Sequence, residues 1–402
     1  MSFAEQNSVS VVAELQGLFG PVSVPEQVVQ KIWMRGDFRR DGLRTFSGEP
    51  LEIVSAGTWN RLDGPDFRGA EFIIGGVRVR GDVEIHFYAE DWFAHEHDKN
   101  PLYGNVVLHV LLFPPRGRKM PLANSRNEKM FTFLLLPHMK RDIEEYATDE
   151  ALSAIEGRGD GGASVLGKLL EVPADERFRL LRNAAYTRWE QKKRFMEKRL
   201  GAAGNWENVC HQLALETLGL RRNREPMARL AARFSPSAML LMDAKKLFDA
   251  EAGSWRLAGT RPANQPLARL AQYLELLLKN PAWPRLLRER LASLPATNVL
   301  GAGQGTKDFR AAAKMARVHE EISKGIFAGA IGGTRFETLI ADAFLPLVSV
   351  AARRDLSAWW FHWFLGDAPG NVPKILREAE ISTRSQPYCN GLFQGLIQIS
   401  LE

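Results

Sequence analysis

Apolar and polar positions follow different periods in the two halves of the chain. Between residues 51 and 136, five runs are rich in β-branched and aromatic residues: Leu51–Val54, Phe67–Ile74, Val77–Tyr88, Val106–Phe113 and Phe131–Leu136. They predict strands. Along Val77–Tyr88 the alternation puts Val77, Val79, Val83, Ile85 and Phe87 on one face and Arg78, Arg80, Asp82, Glu84 and His86 on the other. Gly75-Gly76, between two of these runs, predicts a two-residue hairpin loop. Amphipathic helices are expected ahead of the strands, near Val11–Phe19 and Pro25–Trp33. Residues 147–164, with the string GRGDGGAS, read as a linker. Beyond them a helical period takes over, predicting helices at 174–200, 206–219, 265–279, 308–323, 335–349 and 355–365. The expected architecture is an α/β N-terminal domain over 1–146 with a mixed sheet, followed over 165–402 by an all-α helical domain with a basic face.

Charge sharpens that division. The whole chain of 402 residues carries a formal +6, yet residues 1–140 hold 16 basic and 17 acidic side chains, and residues 177–233 hold 14 basic and 5 acidic. A concentrated positive surface beside a near-neutral domain points to a polyanion, nucleic acid first. Arg188, Lys192, Lys193 and Arg194 are the expected phosphate contacts. Solvation of a helix face by long basic side chains accounts for the same residues. Two cysteines, Cys210 and Cys389, give no disulfide framework and suit a reducing compartment. With no signal segment and no run of about 18 apolar residues, the expected setting is cytoplasmic and off the membrane.

Polar residues with chemistry crowd into one short span. Four of the eight histidines, His86, His95, His97 and His109, fall within 24 residues, beside Asp66, Glu84, Asp91 and Asp98. Pro65-Asp66, a strand, a Gly-Gly hairpin and then Glu84-Ile85-His86 form an order that resembles the PD-(D/E)XK nuclease core. The resemblance implies a restriction-endonuclease-like core in which Asp66 and Glu84 bind Mg²⁺ or Mn²⁺ and cleave phosphodiesters of DNA or RNA. Two carboxylates from neighbouring strands suit a hard cation. His86 stands where that family usually has Lys, so it would position or deprotonate water, with His95, His97 and Asp98 completing the pocket. A two-residue hairpin alone pairs Asp66 with Ile85, on the wrong face. The nuclease reading therefore requires a bulge, expected near Gly81-Asp82, which would set Asp66 across from His86.

A wider resemblance runs through LRTFSGEPLEI, GPDFRGAEFIIGG, GDVEIH, DWFAHEHD, NPLYGNVVLHV, RPANQPLARLA and GLFQGLIQIS. Together these strings are similar to a bacterial domain-of-unknown-function family, the 2851 family, which implies that the polar N-terminal set matters but brings no activity with it. Two other readings stay open. The four histidines could make a zinc hydrolase site, with Zn²⁺ in place of Mg²⁺ or Mn²⁺. Alternatively, a degenerate nuclease core could serve as a non-enzymatic nucleic-acid-binding scaffold. His109, in the apolar run VVLHVLL, is expected to be a core histidine, and Trp92 and Tyr103 are expected to be core aromatics.

Overall fold

The computed structural model describes residues 25–401 apart from 116–119, 141–142, 158–163, 203–204, 259–261, 298–304 and 385. The expected helix near Val11–Phe19 lies outside the described residues. The chain divides into two compact units, Met1–Glu150 and Ala151–Glu402.

The first unit is built on a mixed sheet of six strands. Helix α1 (Glu26–Arg35) comes first and buries Val28, Val29, Ile32 and Trp33. Then follow β1 (Leu51–Ser55), β2 (Thr58–Trp59), β3 (Phe67–Ile74) and β4 (Val77–His86). A short helix α2 (Asp91–Ala94) and a 3₁₀ turn (Pro101–Tyr103) lead to β5 (Val106–Leu111) and β6 (Phe131–Leu134). The strand order is β1-β3-β4-β5-β6, with β2 also on β3. β1, β3 and β4 pair antiparallel, and β4, β5 and β6 pair parallel. Trp33 stacks on Phe38 and meets Phe72 and Phe133, so α1 is fixed to the sheet through aromatic side chains.

The hairpin forms as its sequence predicts, with Ile74 opposite Val77, Phe72 opposite Val79 and Ala70 opposite Gly81. The bulge lies elsewhere than expected. The register shifts between Ala70 and Phe67, on β3, and Phe67 then faces Val83. Gly69 takes a left-handed φ of 67° there, and its amide donates to Asp82 Oδ1 at 3.0 Å. Gly81 serves a different purpose. A Cβ on it would lie 2.4 Å from Val107 Cγ1 and 2.6 Å from the Asn105 carbonyl, so its bareness lets the start of β5 approach. With the extra residue in β3, Asp66 comes level with Glu84 and not with His86.

The second unit is helical. A 29-residue helix, α3 (Ala174–Ala202), packs on α4 (Asn390–Leu401). Trp189, Trp283, Trp359, Trp360 and Trp363 are almost completely buried. Arg199 pairs with Glu216 through two hydrogen bonds of 2.6 Å inside this core. Residues Ile143–Ile155 are helical, in the first part of the stretch read as a linker. Alanine-rich sequence favours helix where glycine does not. Two expected helices are interrupted. The 308–323 run breaks at Lys314, whose φ is 51°, and both it and 335–349 pass into π turns, at Glu321–Ile326 and Leu339–Phe344. Among the described residues, no helix is long and apolar enough to cross a membrane.

Candidate functional site

Strand β4 is central, so its far end is buried on both faces. That would suit apolar residues, yet Glu84 is 5% exposed and His86 1%. Burying a carboxylate and an imidazole is costly unless something holds them.

Asp66 is held from two sides. Its Oδ2 accepts the amide of Ile85 at 3.0 Å, and its Oδ1 accepts Gln30 Nε2 at 2.6 Å. Gln30 is itself fixed, accepting Trp59 Nε1 at 3.2 Å. The amide of Asp66 in turn donates to Glu84 Oε2 at 3.0 Å. One turn before Gln30 on α1, Glu26 joins the two carboxylates electrostatically. Glu26, Asp66 and Glu84 are each pushed up to about 8, chiefly by burial, with mutual repulsion adding to the rise at Glu26 and Asp66. Among the described residues, no Lys or Arg makes an ion pair with any of the three.

The histidines sit against the same strand end. Asp91 opens α2 by accepting the Tyr88 amide at 2.9 Å. His95 closes the helix, and Glu96 turns the chain at a φ of 56°. A non-glycine residue there is uncommon. The turn returns His97 to β4, with its Nε2 3.2 Å from Glu84 Oε1. His86 Nε2 lies 3.5 Å from the same oxygen, and His95 Nδ1 lies 3.3 Å from His86 Nε2. The candidate ligand atoms of His86, His95 and His97 all fall within 4.8 Å of one another. Tyr103 stacks on His97 with ring centroids 3.8 Å apart. Trp92 meets both His97 and His109.

His109 is buried, as expected of a core histidine, but it is also part of the site. Its Nε2 shares a hydrogen bond of 2.8 Å with His86 Nδ1. If His86 donates through Nδ1, its Nε2 lone pair is left facing Glu84. Burial lowers His97 to about 4 and His109 to about 3, and it holds His86 well below the ordinary imidazole value. The imidazoles are therefore neutral lone-pair donors beside carboxylates that have no cationic partner. That donor set suits a divalent cation, and the buried Nδ1 of His97 also has no partner.

The expected residues are not all brought together. Asp66, Glu84, His86, His95 and His97 converge. Asp98 lies beside His97, where its charge opposes the lowering by burial, and its Oδ1 has no hydrogen-bond partner. On α3, Arg188 Nε donates to Gln394 Oε1 at 2.8 Å, and Lys192 pairs with Asp342 at 3.0 Å. Lys193 pairs with Glu190 at 2.9 Å, while Arg194 is exposed. Glu26 and Gln30 were not singled out in the sequence. They form a polar i, i+4 pair on the flank of the apolar stripe of α1, a pattern that does not by itself point to the site.

No curated protein and no solved structure matches the chain. A family model described as "Protein of unknown function (DUF2851)" matches residues 26–253, which is more than half of the sequence. That span begins at Glu26 and takes in every carboxylate and histidine of the site, and the chain belongs to the DUF2851 family.

Proposed function

We propose that the protein is a metal-dependent, nuclease-like phosphodiesterase acting on DNA or RNA, with its centre at Glu84. One observation carries the reading: a single buried Glu84 oxygen lies within 3.5 Å of two neutral imidazoles, on a strand end that also holds Asp66. The strand directions lend support to a restriction-endonuclease-like core. An antiparallel hairpin carries Asp66 and Glu84, and the next strand returns parallel through a short crossover.

Glu84, His86 and His97 would hold the cation, whose charge would favour the ionised forms of Asp66 and Glu26 nearby. Nitrogen donors shift the expected preference from Mg²⁺ towards Mn²⁺. When bound, the cation would supply Lewis acidity and a water that ionises near neutral pH. The chain's own groups do the rest. Gln30 and the Ile85 amide orient Asp66, Tyr103 fixes the plane of His97, and His109 sets the His86 tautomer. His95 is the exposed imidazole of the set. The exposed Arg194 and its basic neighbours on α3 offer a phosphate-contacting surface.

The histidine triad also favours a second reading, a zinc hydrolase, because three imidazoles suit Zn²⁺ better than Mg²⁺. One experiment separates these readings. Chelator-stripped full chain is given Mg²⁺, Mn²⁺ or Zn²⁺ in turn and incubated with a mixed pool of single- and double-stranded DNA and RNA. Cleavage with Mn²⁺ or Mg²⁺ supports the nuclease, and cleavage with Zn²⁺ alone supports the zinc hydrolase. Binding of the pool without cleavage under any metal overturns both in favour of a scaffold.

A further inference from the structure

The carboxylate–histidine centre has one imidazole more than the proposed manganese set uses. Beside Glu84, His86 and His97 stands His95, whose Nδ1 lies 3.3 Å from His86 Nε2. The backbone brings it there. On a continued helix His95 and His97 would point about 200° apart. Helix α2 ends at Ala94 instead, and Glu96, at a φ of 56°, folds the chain back. The rings of His95 and His97 then come together with centroids 5.4 Å apart, and each lies 5.1 Å from the ring of His86. Left-handed backbone at a non-glycine residue persists only where the surrounding structure holds it.

Four donor atoms converge as a result. Glu84 Oε1 lies 3.2 Å from His97 Nε2 and 3.5 Å from His86 Nε2, which in turn lies 3.3 Å from His95 Nδ1. Ligands at zinc bond lengths of about 2.0–2.1 Å define a tetrahedron with edges of about 3.3–3.4 Å. The observed separations bracket that length and link all four atoms. The three imidazoles each offer an atom within 4.8 Å of the others, and the exposed ring of His95 can turn to close the remaining edges.

The number of protein ligands decides what a zinc ion can do. Three leave a position for water, and four close the ion off. Manganese suits oxygen ligands and a six-fold shell, so it keeps water and does not require His95. Zinc also binds more tightly than manganese at a site with nitrogen donors.

We propose that His95 is the fourth ligand of a closed zinc site with Glu84, His86 and His97, and that zinc held there shuts off the manganese-dependent reaction. The inhibition rests on the nuclease reading above, whereas the four-ligand site does not. A zinc hydrolase, by contrast, needs an open position on the ion.

The test uses chelator-stripped full chain, as the parent and as His95→Ala, where the lost ring is an exposed one. Co²⁺ stands in for zinc, because its visible absorption is intense only in a tetrahedral site. The parent should show the intense bands, and His95→Ala should lose them as water enters. Competition against a chromophoric chelator gives the Zn²⁺ and Mn²⁺ affinities of both proteins. The ratio of zinc to manganese affinity should fall by about tenfold or more in His95→Ala, since losing even a partner behind a ligand has that effect. A residue that only supports the fold would weaken both metals alike and leave the ratio unchanged. Stoichiometric Zn²⁺ should also abolish Mn²⁺-supported cleavage by the parent. A weak, octahedral cobalt spectrum in the parent, an unchanged ratio in His95→Ala, or cleavage that Zn²⁺ supports or fails to stop, overturns the proposal. If no metal supports cleavage, the nuclease reading falls, while the cobalt spectrum and the affinity ratio still decide the zinc site.

Discussion

The amide of Asp66 donates to the carboxylate of Glu84, while the carboxylate of Asp66 accepts the amide of the next residue on that strand, Ile85. This reciprocal pair locks two acidic residues from adjacent strands into one register. The register depends on the extra residue in β3, where Gly69 holds a left-handed φ and donates to Asp82.

Gly69→Val should therefore cost about 1–2 kcal/mol of stability, the price of forcing a β-branched residue into left-handed backbone. No atom lies near a Cβ at that position, so the cost is conformational and not steric. Urea unfolding measures it. The same variant should lose metal affinity, because Asp66 and Glu84 move out of step. A change in stability with unchanged metal affinity would show that the bulge does not set the site.

In the proposed site His109 would act through His86, to which it is hydrogen-bonded. His109→Gln should weaken metal binding or activity by roughly 10–100-fold, the usual effect of removing a partner behind a ligand. A merely buried packing residue would change the unfolding midpoint and leave metal affinity alone. Titrating the metal-stripped variant with Mn²⁺ distinguishes the two.

Much of this arrangement can be read in the sequence, and the gaps have physical reasons. Gly75-Gly76 between alternating runs specifies the hairpin, and its register near the loop follows from apolar pairing. The bulge does not follow, because Gly69 and Gly81 are equally suited to one. What decides between them is Asp82, which binds the amide of Gly69, and Val107, which needs the space above Gly81. The crowding of His86, His95 and His97 with Glu84 marks the site. Glu26 reaches it only once α1 packs on the sheet, and no local pattern reports that. His109 shows the limit of an apolar run, which predicts its burial but not its contact with His86. Helical periodicity marks α3 as basic, yet Arg188 and Lys192 are turned towards Gln394 and Asp342, partners about 200 and 150 residues away.

His362 gives the helical unit a pH dependence. Burial, then Arg310, lowers it to about 3 in the folded state, against an ordinary value of 6.5, and its Nδ1 lies 2.9 Å from Thr306 Oγ1. The unfolded chain thus binds a proton that the folded chain refuses. This contribution is complete above pH 6.5 and is lost as pH falls towards 3, at up to about 1.4 kcal/mol per pH unit. His362→Gln, which can keep a hydrogen bond to Thr306, should flatten that slope. Denaturant unfolding of parent and variant at pH 5 and pH 8 gives the comparison. Equal slopes would mean that His362 takes up its proton without unfolding.

The central claim is that Glu84 and its histidines hold a cation that phosphodiester cleavage requires. The most direct measurement is bound metal per chain by elemental analysis after dialysis against Mn²⁺, with nucleic-acid cleavage measured on the same samples. The parent, Glu84→Gln and His86→Lys are compared. The parent should retain about one ion per chain and cut. Glu84→Gln keeps the shape and removes the charge, so metal content and cleavage should fall together, the latter by orders of magnitude. His86→Lys places an ammonium with no lone pair at the same point, and its metal content should fall as well. Equal metal content in all three proteins, or cleavage that persists in Glu84→Gln, would contradict the account.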